Sequence, residues 1–319
     1  MMLRWWAKPS RKSLWVLLFI LCSIKHVTAM PEKWAERVEQ GEYRQALAAT
    51  EELPDGYRQQ VQAWLHAILG QDREAVLAMC PVLEKCLAPK RSSELLLRAK
   101  GVAQQVSLSA EDKDFLFLNE AHHISKHRAF ARVLLKEIKA AGYKYFAVEA
   151  LDQPTLKKLN DGLPIDLSAP LYIHDPEFKR LLLQARSLGF TFIQYELSEQ
   201  QREACNALDR LARINCREAG QAENILKVVQ ADERAKTFVY VGFDHGKKCS
   251  VFFPDGTEVQ WLAKRLKVET GTRILSVDQN NFFFEADKKA DISSPILITK
   301  SDEVDGCYDY SIRHSVPDA

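Results

Sequence analysis

Residues 114–123 read Asp-Phe-Leu-Phe-Leu-Asn-Glu-Ala-His-His, an apolar run that ends on one carboxylate and two imidazoles. A short apolar run without polar alternation is typical of a strand that is covered on both faces. We therefore predict a buried strand here, with Glu120 and His122 at its carboxyl end.

Three further runs lead to a polar side chain in the same way: residues 145–148 to Glu149, residues 190–193 to Glu196, and residues 237–242 to His245. Helical patterns separate these runs, which predicts an α/β fold with a mainly parallel sheet and flanking helices. The carboxyl ends of parallel strands lie at one edge of the sheet, and ligands bind outside that edge. The strand-end side chains are therefore expected to line one pocket, namely Glu120, His122, Glu149, Glu196 and His245.

The N-terminus has the pattern of a secretory signal. Basic residues precede an almost unbroken apolar run from Leu14 to Ile24, and Val27 and Ala29 are small residues at the two positions that a signal peptidase recognises. The run is too short to cross a bilayer comfortably. Lipid attachment at Cys22 and an uncleaved anchor stay open as alternatives. We expect residues 1–29 to be a cleaved signal peptide, and the mature protein to be secreted or periplasmic without a stable membrane span.

Removal of this segment changes the charge of the chain. Residues 1–29 contain five basic and no acidic residues, and the whole chain has a formal net charge of +1, so the mature chain carries about −4. A weakly acidic protein gives no indication of nucleic-acid binding. About 290 remaining residues are enough for one large or two modest hydrophobic cores.

The mature chain keeps six cysteines, and an even set in an exported protein predicts disulfides. Proximity in sequence suggests the pairs Cys80–Cys86, Cys205–Cys216 and Cys249–Cys307, although six cysteines allow fifteen pairings. Zinc is the competing interpretation, but it favours CxxC spacings that this chain lacks.

Residues 30–106 contain helical patterns and no strand-like run. Residues 41–47 and 70–76 look like two copies of one turn-into-helix unit and resemble tetratricopeptide-type hairpins. So few units rarely stand alone, so this region is expected to pack on the α/β domain. It is predicted to be a structural cap or to bind a protein partner through residues 31–105. Residues 107–300 are the predicted α/β domain, and residues 301–319 a C-terminal tail tethered by Cys307.

Smaller features complete the α/β prediction. A long connection with little helical pattern leads to His174, and such connections often cover a site. Asp175 before Pro176, and Ser198 with Gln201, are predicted helix N-caps. A helical region is expected to continue to about residue 233. Within it, three polar residues share one helix face, namely Arg217, Gln221 and Asn224. This face is either solvated or lines the pocket. A further helix is predicted over Val259–Leu266, with strands at 273–277 and 295–298.

Four motifs in this order resemble the erythromycin esterase-like and ChaN/Tiki-like superfamily of α/β proteins. They are Glu120-Ala121-His122-His123, Glu149, Arg217-Glu218 with Ala222 and Asn224, and Gly242-Phe243-Asp244-His245. The resemblance covers about residues 115–246. Asn119 and Gln221 depart from the family pattern, which has glycine and methionine there. The resemblance implies an α/β pocket in a superfamily of ester hydrolases, haem- or iron-linked lipoproteins, metal-dependent proteases and toxin domains.

The leading hypothesis is an exported hydrolase that activates water on an ester or amide in a small molecule or peptide. His122 is the general base, Glu120 or Glu149 orients it, and His245 is a second acid/base or an oxyanion donor. Arg217 binds an anionic substrate group or the oxyanion. Because no Gly-x-Ser-x-Gly motif is present, water is favoured over a serine nucleophile. The expected substrate contacts are Glu196, Tyr195, Asn224 and His174.

The sequence is also compatible with two other functions. The residues Glu120, His122, Glu149 and His245 are also acceptable ligands for zinc, manganese or iron, and haem is a weaker alternative with Tyr195, His174 or His123 as ligands. The cofactor is therefore unknown, either none or a divalent metal. The third hypothesis is a non-catalytic protein that binds its partner through the helical region.

Overall fold

The computed structural model describes residues 33–80, 95–165, 169–232, 235–271, 273–285, 295–300 and 306–317. The predicted signal peptide and Cys86 lie outside these ranges. In the described ranges, no helix combines the length and the apolar character needed to cross a membrane.

The chain alternates helices and strands after an all-helical start. The helices are α1 (Lys33–Glu39), α2 (Tyr43–Ala48), α3 (Asp55–Ile68), α4 (Asp72–Met79), α5 (Ala99–Ser109), α6 (Ser125–Ala140), α7 (Gln153–Asn160), α8 (Pro176–Ser187), α9 (Glu199–Asn206), α10 (Arg210–Val229) and α11 (Leu262–Thr270). The strands are β1 (Leu95–Arg98), β2 (Phe115–Glu120), β3 (Tyr143–Val148), β4 (Thr191–Ile193), β5 (Lys236–Gly242), β6 (Ser250–Phe252), β7 (Glu258–Gln260), β8 (Ile274–Glu285), β9 (Pro295–Lys300) and β10 (Tyr310–Pro317). Short 3₁₀ helices occur at Ala49–Glu52, Leu171–His174 and Phe243–Gly246.

Within the described residues, the strands form an eight-stranded sheet of order β1-β9-β10-β8-β2-β5-β3-β4 and a β6–β7 hairpin. Strands from β10 to β4 are parallel to one another, and β9 is antiparallel to both of its neighbours. The predicted α/β fold with a mainly parallel sheet is therefore confirmed.

The sheet is covered on both faces, which explains why β2 is apolar throughout. Leu116 and Leu118 belong to a core with helices α5, α6 and α8, whereas Phe115 and Phe117 belong to a core with α10 and α11. Side chains alternate between the faces of a strand, so a strand between two helical layers needs apolar residues at both parities.

The helical N-terminal region has its own small core, which includes Trp34, Val38, Trp64 and Leu65. It packs on the α/β part, as expected, because the Ser125 hydroxyl donates to the Ala67 carbonyl at 3.2 Å and Tyr43 reaches the segment before α8. That this region binds a protein partner stays a prediction.

Several local predictions differ from the structure. Strand β1 lies inside the region expected to be all-helical, because pairing with β9 supplies its backbone hydrogen bonds. Helix α5 spans the predicted boundary at residues 106/107 and belongs to the same core as α6. Residues Glu258–Gln260 form a strand and not the start of a helix, because Val259 pairs with Val251 across a hairpin. The helical region expected to continue to residue 233 is broken by a new N-cap at Asp209.

The segment expected as a C-terminal tail contains β10, which lies between β8 and β9. Its sequence alternates apolar and polar residues, so it lacks the apolar run that marks the other buried strands. Tyr310 and Ile312 nevertheless pack in the main core. The predicted N-caps at Asp175 and Ser198 are both present.

Disulfides connect Cys205 with Cys216 and Cys249 with Cys307, which are two of the three expected pairs. Cys80 is also disulfide-bonded. The first bond joins α9 to α10, and the second joins the loop after Phe243–Gly246 to the residues before β10. These bonds indicate an oxidising environment outside the cytoplasm.

Candidate active site at the carboxyl edge of the sheet

The carboxyl ends of β2, β3 and β5 open into a cavity of about 1160 Å³. Parallel pairing places Glu120 of β2 opposite Gly242 of β5, so the residues that follow these strands meet. The cavity is lined by these strand-end residues together with two side chains of α10: His122, Glu149, Glu196, His245, Arg217 and Asn224.

The first glutamate–histidine pair is Glu120 with His122. A Glu120 oxygen lies 2.7 Å from His122 Nδ1. Arg128 donates to both oxygens of the same carboxylate, at 2.8 and 2.9 Å, and the Tyr240 hydroxyl donates at 2.6 Å. Burial alone would raise the pKa of Glu120, but the Arg128 guanidinium and the His122 hydrogen bond hold it well below its usual range. Glu120 is therefore a fixed anion behind His122.

Arg128 is a functional residue that the sequence analysis missed. It is fully buried and also forms an ion pair with Asp175, the N-cap of α8. Its signal in the sequence is its position, because it shares the apolar face of α6 with Ala131 and Leu135. A charged residue on a buried helix face is rare unless it is paired.

The second glutamate–histidine pair is Glu218 with His245. A carboxylate oxygen of Glu218 lies 2.9 Å from His245 Nδ1, and the Leu262 backbone N–H donates to this carboxylate at 2.8 Å. Burial alone would lower the pKa of His245, but the Glu218 carboxylate raises it above its usual value. The sequence analysis quoted Glu218 in a motif but gave it no role.

Glu149 and Arg217 connect the two pairs. Arg217 Nη2 lies 3.1 Å from a Glu149 oxygen and 3.2 Å from a Glu196 oxygen. The Gly242 N–H donates to Glu149 at 2.6 Å, and His245 Nε2 lies 3.8 Å from Glu149 Oε1. Burial would raise the pKa of Glu149, but His245 and the other nearby cations lower it. Because Arg217 is already paired with two carboxylates, its first effect is to hold them in place.

The backbone after β5 fits closely around His122. A Cβ atom at Gly242 would lie 2.6 Å from His122 Nε2 and 2.9 Å from Glu149 Oε2, so only glycine fits there. Phe243 has a φ of 42°, which is unfavourable for a residue with a side chain. Its ring packs edge-on against the His122 ring at 5.0 Å.

Asn119 is one of three donors to the Phe243 carbonyl, with Asn280 and the Tyr308 hydroxyl. This residue departs from the pattern on which the family resemblance was based. In the structure it holds the backbone that supports His122.

The remaining predicted residues have supporting positions. Tyr195 is buried in the core that contains α10 and α11, and Asn224 lines the cavity while donating to the Tyr195 and Glu196 carbonyls. His174 does not line the cavity, and its Nε2 lies 3.3 Å from the Ala169 carbonyl. Its neighbour Tyr172 lines the cavity instead, with its ring 4.9 Å from that of His122.

The residues expected to bind a metal or haem are not arranged around one common point. Within the described part of the chain, no group of three or more His, Cys, Asp or Glu side chains is placed to hold a metal ion. Glu120 lies behind His122, and its oxygens already accept hydrogen bonds from Arg128, Tyr240 and His122. His123 is buried, and burial followed by the nearby His122 lowers its pKa to about 3. The four-residue metal set is therefore not assembled.

No family model and no curated protein matches the sequence. Among solved structures, the chain is similar to the type III effector HopBA1, with 13% identity and a TM-score of 0.40 over 72% of this chain and 100% of that one. It is also similar to RRSP, a MARTX toxin effector domain from Vibrio vulnificus, with 15% identity and a TM-score of 0.40 over 79% and 56%. The C-terminal region of Pasteurella multocida toxin, described as having a thiol-protease-like catalytic triad, shows 11% identity and a TM-score of 0.38 over 84% and 45%.

These findings correct the predicted family. The similar structures are bacterial toxin and effector domains and not erythromycin esterases, so the assignment to the erythromycin esterase-like and ChaN/Tiki-like superfamily is wrong. Its short motifs are strand-end residues that any α/β pocket of this geometry can carry. The chain spans all of the first structure and about half of the other two, and the resemblances are too distant to indicate an activity.

Proposed function

We propose that the protein is a hydrolase that activates water on an ester or amide bond with His122 and His245. One observation carries the proposal. Each histidine is held through Nδ1 by its own buried glutamate, and both rings line the same cavity. A pair of oriented imidazoles that face one cavity can supply a base and an acid to one reaction.

His122 is the base of this mechanism. Its Nδ1–H donates to Glu120, which fixes the tautomer, so Nε2 is the nitrogen that would accept a proton. As the water oxygen bonds to the substrate carbonyl carbon, Nε2 takes one proton from that water. The rings of Tyr172 and Phe243 hold the imidazole in place.

His245 is the acid. Its raised pKa keeps a proton on the imidazole, and Nε2–H donates that proton to the departing oxygen or nitrogen as the carbonyl bond breaks. The products are a carboxylic acid and an alcohol or amine, so the atoms of one water molecule are divided between them. His122 then releases its added proton to solvent and His245 takes one up, which restores both imidazoles for the next turnover. Glu149, 3.8 Å from Nε2, stabilises the imidazolium before the transfer.

Water is the nucleophile in this proposal. In the ranges that the structure describes, every cysteine is disulfide-bonded, so none of these sulfurs can attack a carbonyl as a thiolate. Cys205 lines the cavity but is bonded to Cys216.

The test is hydrolysis of a panel of esters, amides and short peptides by mature protein produced in an oxidising compartment. His122→Ala and His245→Ala are each expected to lower kcat/KM by about 100-fold or more, in protein that circular dichroism shows to be folded at the assay temperature. His66→Ala in the helical region, where the ring contacts Gln71, is the matched control. Folded variants with full activity would contradict the proposal, as would activity that a chelator removes and an added metal restores.

A further inference from the structure

Two buried N–H groups belong to cavity-lining residues but have no hydrogen-bond acceptor in the described chain: Arg213 Nε and Trp261 Nε1. Leaving a buried donor without an acceptor is unfavourable, and such groups are rare in native proteins. Trp261 packs edge-on against His245, with ring centroids 5.6 Å apart. Trp261 therefore lies on the His245 side of the cavity, and it shares a small core with Ile214, the residue after Arg213 on α10.

Arg213 differs from the other cations of the cavity wall. Arg217 is paired with Glu149 and Glu196, Lys227 is paired with Glu223, and the exposed Arg202 donates to the Leu197 carbonyl. Among the described residues, the Arg213 side chain has neither an ion pair nor a hydrogen-bond partner. It lies one helical turn before Arg217 on α10, about 6 Å along the axis.

We propose that Arg213, with Trp261 beside it, binds a carboxylate of the substrate. The inference rests on the proposed function only in calling the ligand a substrate, because the subsite itself is defined by donors and charge. A guanidinium offers a planar pair of N–H groups that matches a carboxylate. Arg217 was expected to bind the anion, but in the described part of the cavity wall the guanidinium without a paired carboxylate is that of Arg213.

The charges around the subsite favour a single negative charge over a phosphate. The cavity wall also carries Asp152, Glu199 and Asp244, and like charges in a partly buried site repel strongly. A carboxylate brings one negative charge, which Arg213 can neutralise, whereas a phosphate near pH 7 brings up to two.

The binding test uses propionate and its neutral isostere propionamide, followed by NMR of ¹⁵N-labelled full-length mature protein. The Trp261 indole signal, assigned with Trp261→Phe, is expected to shift with propionate and not with propionamide. Arg213→Gln is expected to raise the Kd for propionate by about tenfold or more, and Arg213→Lys, which keeps the charge but loses the fork, by less. Arg202→Gln, a cation of the same wall that is already engaged, is the matched control.

Equal shifts with both ligands, an unchanged Kd in Arg213→Gln, or equal weakening in Arg202→Gln would overturn the subsite. Tighter binding of inorganic phosphate than of propionate would overturn the carboxylate assignment. These binding measurements do not require catalytic activity, so they test the subsite even if the hydrolase proposal fails.

With an active enzyme, Arg213→Gln should raise KM about tenfold for a carboxylate-bearing substrate and leave the KM of its neutral analogue unaffected. An equal rise for both substrates would overturn the substrate role.

Discussion

The two glutamate–histidine pairs share one geometry but differ in what surrounds the glutamate. Glu120 accepts a bidentate pair of hydrogen bonds from Arg128 and a third bond from Tyr240. Glu218 accepts a backbone N–H, and in the described ranges no lysine or arginine forms an ion pair with it. The Glu218 charge is therefore directed mainly at His245, whose pKa it raises, whereas Arg128 neutralises the charge behind His122.

This difference in surroundings gives the two imidazoles different roles in the proposed mechanism, although both pairs consist of a glutamate and a histidine. The Glu218 carboxylate raises the pKa of the histidine beside it, whereas Glu120, paired with Arg128, orients the His122 ring through a hydrogen bond. The cation behind the glutamate is thus the feature that assigns the base and the acid.

Arg128→Met should have the largest effect, because it leaves Glu120 and Asp175 as buried charges without their cation. Removing one partner of a buried ion pair costs about 3–5 kcal/mol. Urea unfolding of the oxidised protein should show this loss. Arg132→Met, on the same helix and in a half-exposed ion pair with Glu177 at 3.2 Å, should cost less than about 1 kcal/mol. Equal losses in the two variants would show that Arg128 is not the cation on which the first pair depends.

Gly242→Ala tests whether the first pair needs its close contact with β5. The new methyl would lie 2.6 Å from the His122 ring, so the imidazole must move by a fraction of an ångström or more. A misplacement of this size is expected to lower kcat by about 100-fold, with a small change in KM. Gly101→Ala in α5 is the control, since the only atom within 4 Å of the added methyl would be Leu97 Cβ at 3.9 Å. Activity near that of the wild type in Gly242→Ala would remove His122 from the mechanism.

The contribution of the second pair, Glu218 with His245, to stability should depend on pH. The pKa of His245 is raised in the folded protein, so its pairing with Glu218 stabilises the fold fully below the unfolded pKa of about 6.5. This stabilisation is lost as the pH rises through the higher folded pKa. A double-mutant cycle of Glu218→Gln and His245→Gln should give a coupling energy of about 1–3 kcal/mol at pH 5.5 and a smaller one at pH 9. A coupling energy that grows with pH would reverse the assignment of the acid.

Much of this arrangement could be predicted from the sequence. The apolar runs predicted the parallel strands, and the strand ends placed His122, Glu149, Glu196 and His245 around one cavity, because a parallel sheet must collect its strand ends at one edge. Glu120 was also expected on the cavity wall, but it lies behind His122. The caps at Asp175 and Ser198 followed from local chemistry alone.

The remainder depends on contacts between distant segments. Arg128 and Glu218 lie on helices, where nothing local indicates that their partners are Glu120 and His245. Strand β10 is buried by its neighbours and not by its own apolar content, so its alternating sequence gave no signal. The helical pattern of residues 33–80 predicted a separate unit but did not indicate that it reaches the site.

The smallest expected effect on stability comes from the contact between the helical region and the His122 side of the site. Trp64 lies 5.9 Å from the Tyr172 ring, which packs on His122, and the Tyr43 hydroxyl donates to the His174 carbonyl at 3.0 Å. Tyr43→Phe removes one hydrogen bond and should cost about 0.5–1.5 kcal/mol.

The same variant should move the imidazole NMR signals of His122, assigned with His122→Ala, and leave those of His245 in place. Thr50→Val is the matched control, because it removes hydrogen bonds to Leu47 and Gln62 that lie wholly within the helical region. If Tyr43→Phe and Thr50→Val destabilise the protein equally and neither moves a His122 signal, the helical region acts through stability alone. If only Tyr43→Phe moves it, residues of the helical region help to hold one of the two imidazoles, and the two pairs differ in their support as well as in their charge.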